Sequence, residues 1–337
     1  MKRGIAAPFC TALAFAAAAC IVQSAHSASS SPRLVPAEDY PHKPIRFIDA
    51  FVPGGATDVM ARIIGQKITE KFGQQVIVDN RAGAGGNVGA EIAAKATPDG
   101  YTLLMANVPS LAPSPSLYPK LGFDVLNDFA YISVLAGGSY VIIMNPTVPA
   151  KSVPELIALA KAKPGQFRYG SSGVGGPVHL AGELLKHRAG VDILHVPYKG
   201  AGPIITAVIT GEVQFGYPSL AGALSFIKQG RVVAIAVTSA KRAKALPDVP
   251  TIAESGYPGY DITPWYGMAA PAATPRTIVN ALAAELARTM QQPDVQTAFA
   301  NLGLEATSST PERFRAIVRD AIATSSKIIK DVGIKVE

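Results

Sequence analysis

Two glycine turns carry the residue types best suited to holding a small anion. The first is Phe51-Val52-Pro53-Gly54-Gly55-Ala56-Thr57-Asp58, and the second is Gly170-Ser171-Ser172-Gly173-Val174-Gly175-Gly176-Pro177-Val178-His179. Each follows a strand-like run and opens a helical stripe. Glycine lets the backbone turn sharply and lets a ligand approach the peptide N–H groups. The helix that follows starts with unpaired N–H donors and a partial positive charge, which suits a carboxylate or phosphate. Ser171 and Ser172 add hydroxyls to the second turn. One such turn is a weak signal. Two, one in each half of the chain, fit a pair of ligand clamps facing each other across the cleft of an open α/β protein. The candidate ligand-binding residues are Phe51, Pro53, Gly54, Gly55, Ala56, Thr57 and Asp58 in the first turn, and Ser171, Ser172, Gly173, Gly175 and His179 in the second. Asn107 ends a strand of the first half and joins them, as does Tyr198, which offers a wall and a hydroxyl. Thr57 and Asp58 also suit a helix cap. A carboxylate at Asp58 repels an anionic ligand unless it turns toward backbone N–H groups.

Three enzyme readings compete with binding. A hydrolase needs an activated nucleophile and a base, and Ser171, Ser172, His179 and His195 are available, but Val174 breaks the G-x-S-x-G elbow. A dinucleotide site would use Gly83-Ala84-Gly85-Gly86-Asn87-Val88-Gly89. The spacing there is G-x-G-x-x-x-G, and Ala106-Asn107 stand where an acidic residue would end the next strand. That turn reads instead as close packing of a helix on a strand. A metal site would use His179, Glu183 and His187 on one helix face, but no further ligands cluster nearby. No cofactor is implied.

The elements that must position these residues alternate. The pattern predicts strands at 45–50, 75–79 and 101–106, with helices at 58–72 and 88–96 between them. A second set has strands at 141–144, 167–170, 193–196, 213–217 and 232–237. Its helices run over 152–163, 177–188 and 203–209, the first opened by the capping box Ser152-Val153-Pro154-Glu155. Residues 247–264 are a Pro- and Gly-rich connection. Thr274-Pro275 and Thr310-Pro311 open helices to about 290 and 330. This order argues for parallel sheets with helices on both faces.

The 337 residues are 48% apolar and 16% charged, too apolar for a disordered chain and enough for two domains. Lys2 and Arg3 precede an uncharged stretch from Gly4 to Val22, and Ala25-His26-Ser27 offers a cleavage site, so residues 1–27 read as a secretory signal and 28–42 as a flexible lead. Ala17-Ala18-Ala19-Cys20 is a poor lipidation site. Cleavage removes both cysteines, Cys10 and Cys20, and lowers the net charge from +7 (31 cations, 24 anions) to +5 (29 against 24). The chain then has no cysteine to mispair in an oxidising compartment. The cations are spread, with no basic run and no nucleic-acid motif.

With these motifs in hand, the chain resembles the Bug family of periplasmic solute-binding proteins, the extracytoplasmic receptors of tripartite tricarboxylate transporters. The resemblance runs from Tyr40 to about Val332. It rests on the two turns and on Val78-Asp79-Asn80-Arg81-Ala82-Gly83, Pro98-Asp99-Gly100-Tyr101-Thr102, His195-Val196-Pro197-Tyr198-Lys199-Gly200, Leu246-Pro247-Asp248-Val249-Pro250-Thr251 and Trp265-Tyr266-Gly267. It implies a two-lobed periplasmic-binding-protein (Venus flytrap, type II) fold, each lobe a mostly parallel sheet flanked by helices. Lobe 1 would join 43–142 with 263–337, and lobe 2 would be 143–262. It also implies a monomer in the periplasm that takes a small organic carboxylate between the lobes, with the turns as clamps, and serves the membrane subunits of such a transporter. The alternative is a sensing module that presents its closed form to a membrane sensor kinase ectodomain. Three positions depart from the family pattern: Asp49-Ala50 before Phe51, Ala207 after Pro203, and Tyr217-Pro218-Ser219 in place of Phe-Asp-Ser.

Overall fold

The computed structural model describes residues 40–198 and 200–334. The signal segment, most of the flexible lead and Lys199 lie outside the described residues. No helix among the described residues is long and apolar enough to cross a membrane.

Two sheets organise the chain. The first opens with β1 (Ile45–Asp49), whose burial on both faces matches its apolar run, followed by α1 (Ala56–Phe72), β2 (Val76–Asn80), α2 (Asn87–Ala94) and β3 (Thr102–Asn107). β1 pairs parallel with β2 and β3, as β-α-β order requires. Two single-turn helices, α3 (Val108–Leu111) and α4 (Ser114–Leu117), lead to β4 (Phe129–Gly137). The chain then crosses to the second sheet, whose strands are β5 (Val141–Met144), β6 (Arg168–Ser171), β7 (Leu194–Pro197), β8 (Phe215–Gly216) and β9 (Val233–Val237). Its helices are α5 (Val153–Ala162), α6 (Pro177–Ala189), α7 (Ala201–Thr210) and α8 (Leu220–Lys228). A second crossing leads back to β10 (Trp265–Pro271), α9 (Arg276–Thr289), α10 (Pro293–Asn301), β11 (Glu305–Ala306) and α11 (Pro311–Val332).

The sheet orders are β11-β4-β10-β3-β1-β2 and β7-β6-β8-β5-β9. This is the expected two-lobed α/β architecture with helices on the sheets. Both sheets are mixed, however, so the parallel share is smaller than the alternating pattern predicts. β10 runs antiparallel to β3 and β4, and β5 runs antiparallel to β8 and β9. The reason lies in the crossings. β5 and β10 each enter their sheet from the other lobe, without the helical crossover that makes a neighbour parallel.

The crossing segments touch. The hydroxyls of Ser139 and Ser239 are hydrogen-bonded, and the Thr238 N–H donates to the Tyr140 carbonyl at 3.0 Å. β5 belongs wholly to the second sheet, so the chain changes lobes at 138–140, just before the boundary read from the sequence. The C-terminal helix does not stay with one lobe. Phe314 and Val318 of α11 join the core beneath Trp265, while Ile328 and Ile329 join the second lobe's core with Leu180 and Leu184.

Candidate ligand-binding cleft

The second-lobe turn is held from beneath by side chains. β6 ends at Ser171, which is fully buried. Its hydroxyl accepts the Gly173 N–H at 3.2 Å and is hydrogen-bonded to His195 Nε2 on the neighbouring strand β7. His179, in the first turn of α6, accepts the Gly175 N–H at Nδ1, 3.0 Å away. The rings of His179 and His195 stack with centroids 4.0 Å apart. Burial, and then the neighbouring His179, hold His195 down at about 4. Burial also keeps His179 below its ordinary value. Both rings are therefore neutral at pH 7, and the 4.0 Å approach of His179 to Glu183 is a dipole contact rather than an ion pair. Glu183 is committed elsewhere: it accepts from the Tyr169 hydroxyl at 2.7 Å and from Lys186 at 2.8 Å. His187 points outward from the same helix, so the three residues spaced four apart do not converge.

The first-lobe turn is held by carboxylates. Asp49, at the end of β1, has no solvent exposure. Its Oδ2 accepts from Thr57 Oγ1 at 3.0 Å and from Asn80 Nδ2 at 3.2 Å, while Oδ1 has no partner among the described residues. Burial pushes this carboxyl up to about 6, against the hydrogen bond from Thr57. Asp58 is buried too, but it accepts from Arg62 at 2.9 Å and 3.0 Å and from the Gly54 N–H at 3.0 Å. The Arg62 hydrogen bonds, opposed by burial, keep it below the usual carboxylate range. Its charge is thus turned onto Arg62 and the backbone of its own turn, but neither Thr57 nor Asp58 is the helix cap: Gly55 holds that place without a side-chain bond, and the Thr57 hydroxyl is given to Asp49.

A cavity of about 370 Å³ opens between the lobes and takes its lining from both. Of the candidate residues, Phe51, Ser172, Gly173 and Gly175 line it. Ser171 and His179 stand behind the turn. Pro53, Gly54, Gly55, Ala56, Thr57 and Asp58 lie outside the lining, in the turn that carries Phe51. Asn107 is fully buried and caps α3 by accepting the Ser110 N–H at 3.1 Å. Tyr198 also lies outside the lining, its hydroxyl donating to Glu212 at 2.8 Å.

The structure adds Tyr118, Tyr140, Tyr217 and Tyr266 to the walls, with Pro109, Pro113, Pro218, Ser219 and Gly85. Gly85 belongs to the turn read as helix-on-strand packing. That packing is present, since a Cβ on Gly89 would stand 2.8 Å from Ala50 Cα. The same turn also faces the cavity. Tyr266 stands in Trp265-Tyr266-Gly267, one of the motifs that carry the resemblance, and Tyr217 in Tyr217-Pro218-Ser219, one of the departures from the family pattern, but neither stretch marks its tyrosine as part of a cavity wall.

Polar donors cluster on the second-lobe side. The N–H groups of Val174 and Val178 have no partner among the described residues, and both residues line the cavity. α7 begins at the lining residue Ala201, and Ser219, also in the lining, caps α8 by accepting the Gly222 N–H. Three helix N-termini therefore face one space, and an anion there meets oriented donors without a charged side chain.

Residues 60–334 match the model of the tripartite tricarboxylate transporter family receptor. The chain belongs to that family. It is 36% identical over 304 residues to the protein BugT of Bordetella pertussis, covering 90% of this chain and 93% of the relative. Among solved structures, an adipate-bound protein of R. palustris, Rpa4515, superposes with a TM-score of 0.77 at 33% identity, over 88% of this chain and 99% of that one. MatC from Rhodopseudomonas palustris, with bound malate, does so with a TM-score of 0.73 at 28% identity, over 86% and 100%. The Bug-family resemblance read from the motifs is borne out. The family is one of periplasmic receptors for solutes.

Proposed function

We propose that this protein captures a small organic carboxylate between its two lobes in the periplasm and delivers it, unchanged, to the membrane subunits of a tripartite tricarboxylate transporter. The observation that carries the reading is the cavity lined from both lobes, with the starts of α6, α7 and α8 on one side of it. Relatives that hold adipate and malate support the ligand chemistry. Hydrogen bonds to a charged carboxylate contribute about 1.5–3 kcal/mol each, so a few N–H and hydroxyl donors fix it without a buried arginine. The moving units are the two lobes, pivoting at 138–140 and 238–264. Closure removes water from the cleft and strengthens each bond to the ligand. The turn at 172–176 holds the carboxylate directly. The turn at 51–58 acts through Phe51.

Ser171 and His195 form a hydrogen-bonded Ser–His pair, but the hydroxyl lies behind the turn and is engaged with the Gly173 backbone. A receptor needs no nucleophile, and this pair shapes the loop instead. The test is to strip the protein of ligand by unfolding and refolding, then measure binding of small carboxylates and analyse the acid afterwards. The reading expects saturable binding, recovery of the intact acid, and loss of its uptake on deletion of the gene. No binding together with unchanged uptake would overturn it.

A further inference from the structure

We propose that Gly303 and Ala221, which meet behind the lobe crossings, form a stop that sets how far the ligand cleft can open. The proposal rests on the two-lobe movement described above and names the element that limits it. A second cavity, of about 690 Å³, is lined from both lobes. Gln296, Ala300, Gly303 and Glu305 line it from the first lobe, and Ala221 and Lys244 from the second. It lies on the other side of the crossing at 138–140. Ser139 lines this rear cavity, while its neighbour Tyr140 lines the ligand cavity. Successive residues of an extended segment point to opposite sides. The start of α8 divides in the same way, with Ser219 in front and Leu220 and Ala221 behind. Lobes that pivot between two such spaces close one as they open the other.

Across the rear the lobes are already in contact. A Cβ on Gly303 would run into the Cα and Cβ of Ala221 and stand 3.0 Å from its nitrogen. Both partners are firmly held. Gly303 follows α10 in the left-handed region, at φ +68°, and its N–H donates to the Ala300 carbonyl at 2.8 Å. The Leu304 N–H donates to the carbonyl of fully buried Phe299 at 2.9 Å. On the other side, the Leu220 N–H donates to the Ser139 carbonyl at 2.9 Å, and Ser219 caps the helix. Ala221 is therefore tied to the pivot itself. Close-packed groups of this kind yield little to compression.

An ion pair spans the rear as well, from Lys244 to Glu305 at 3.3 Å. Both side chains are more than half exposed, and such pairs contribute about 0–1 kcal/mol. The steric contact, not the ion pair, sets the limit. Excluding wider arrangements raises the share of binding-competent ones, and apparent affinity rises with that share.

The experiment uses the full chain, expressed with secretion and stripped of ligand by unfolding and refolding. Its only cysteines, Cys10 and Cys20, fall in the segment read as a signal, so Val52→Cys and Val174→Cys can carry a pair of spin labels. These exposed positions stand on the first-lobe and second-lobe turns that flank the cleft. Pulsed dipolar spectroscopy without ligand reads the distance across the mouth. Ala221→Gly removes the Cβ at the contact, and the distribution should gain longer distances. Gly303→Ala adds bulk there, and the distribution should shift to shorter ones. The double variant should return toward the wild-type distribution, which a merely disrupted loop would not do. Unchanged distributions in the folded single variants, or shifts in the opposite sense, would overturn the stop. If Gly303→Ala fails to fold, Ala221→Gly alone decides. No ligand enters the measurement, so failure here leaves the receptor reading in place, and that reading falls only by its own test of binding and uptake.

Discussion

His179 and His195 stack ring on ring beneath the second glycine turn, with centroids 4.0 Å and planes 21° apart. Each is tied to that turn: His179 accepts from the Gly175 N–H, and His195 is bonded to Ser171. The pair works only when neutral. Protonating His179 removes its acceptor, and protonating both sets two cations face to face. His195 is held at about 4 against an ordinary 6.5, so the folded state binds fewer protons than the unfolded chain between those values. Its contribution to stability is full above 6.5 and is lost as pH falls through 4. Thermal unfolding between pH 7.5 and 4 should therefore show a steeper acid loss in the wild type than in His195→Gln. Parallel profiles for the two proteins would contradict this. Ligand affinity should hold through most of that window and fall only as pH approaches 4, where His195 of the folded protein takes its proton and the turn loses its support.

Asp49 has the opposite sign. Its carboxyl is raised to about 6 from 3.8, so its contribution is present below 3.8 and lost as pH rises through 6. At pH 7.5 the group is a buried anion with one oxygen unpartnered among the described residues. Asp49→Asn keeps an acceptor for Thr57 and Asn80 and removes the charge. We expect the variant to be more stable than wild type at pH 7.5, by about 1–2 kcal/mol after allowance for solvent screening. The gain should vanish at pH 4. Denaturant midpoints at the two pH values decide the matter, and equal stability at pH 7.5 would mean that the carboxyl finds a partner in solution.

Much of the architecture was legible because it is local. The first-turn signals Ser152 and Thr310 do cap α5 and α11, each accepting the N–H three residues on. Strand 45–50 and its helix are legible from period and turn chemistry alone. β4 and β10 escape the reading for a tertiary reason. Their apolar runs show no alternation, since both faces are covered, and neither follows a full crossover helix: the single-turn α3 and α4 and a loop lead to β4, and the 238–264 crossing leads to β10. In the site, the glycine turns are visible because strained or closely approached backbone demands glycine. The tyrosine wall is not. Tyr118, Tyr140 and Tyr266 sit at unrelated positions in sequence, and only the tertiary packing of the chain brings them to one cavity. The roles of Asp58 and Tyr198 turn on which neighbour each side chain meets, Arg62 and Glu212, which spacing does not reveal.

Gly173 offers a direct test of the second-lobe turn. It lines the cavity at φ +134°, a conformation that L side chains rarely adopt, and a Cβ there would meet nothing within 4 Å. Gly173→Val therefore strains the backbone of an exposed turn and fills ligand space without striking the core. Backbone strain of this kind costs roughly 1–3 kcal/mol. The variant should stay folded, by circular dichroism, while its affinity for the bound acid falls at least 100-fold. Undiminished affinity in a folded variant would move the binding site away from this turn.

Gly267 tests how the returning strand is locked. A Cβ at this position of β10 would run into the ring of Phe314 from α11 and stand 2.7 Å from the Ser133 carbonyl oxygen of β4. The first obstacle is a side chain and the second is backbone. Gly267→Ala should destabilise the protein by about 1–3 kcal/mol, the usual range for overpacking. Phe314 also packs edge-on against Trp265, with centroids 5.4 Å apart, so the ring cannot simply swing away. Adding Phe314→Leu removes the ring and should recover part of the loss relative to the sum of the single changes. The Ser133 clash then remains as the residue of the cost. A double-mutant cycle read by denaturant unfolding separates the two obstacles. Strict additivity would show that the backbone clash alone sets the penalty, and that α11 does not restrain the strand through Phe314.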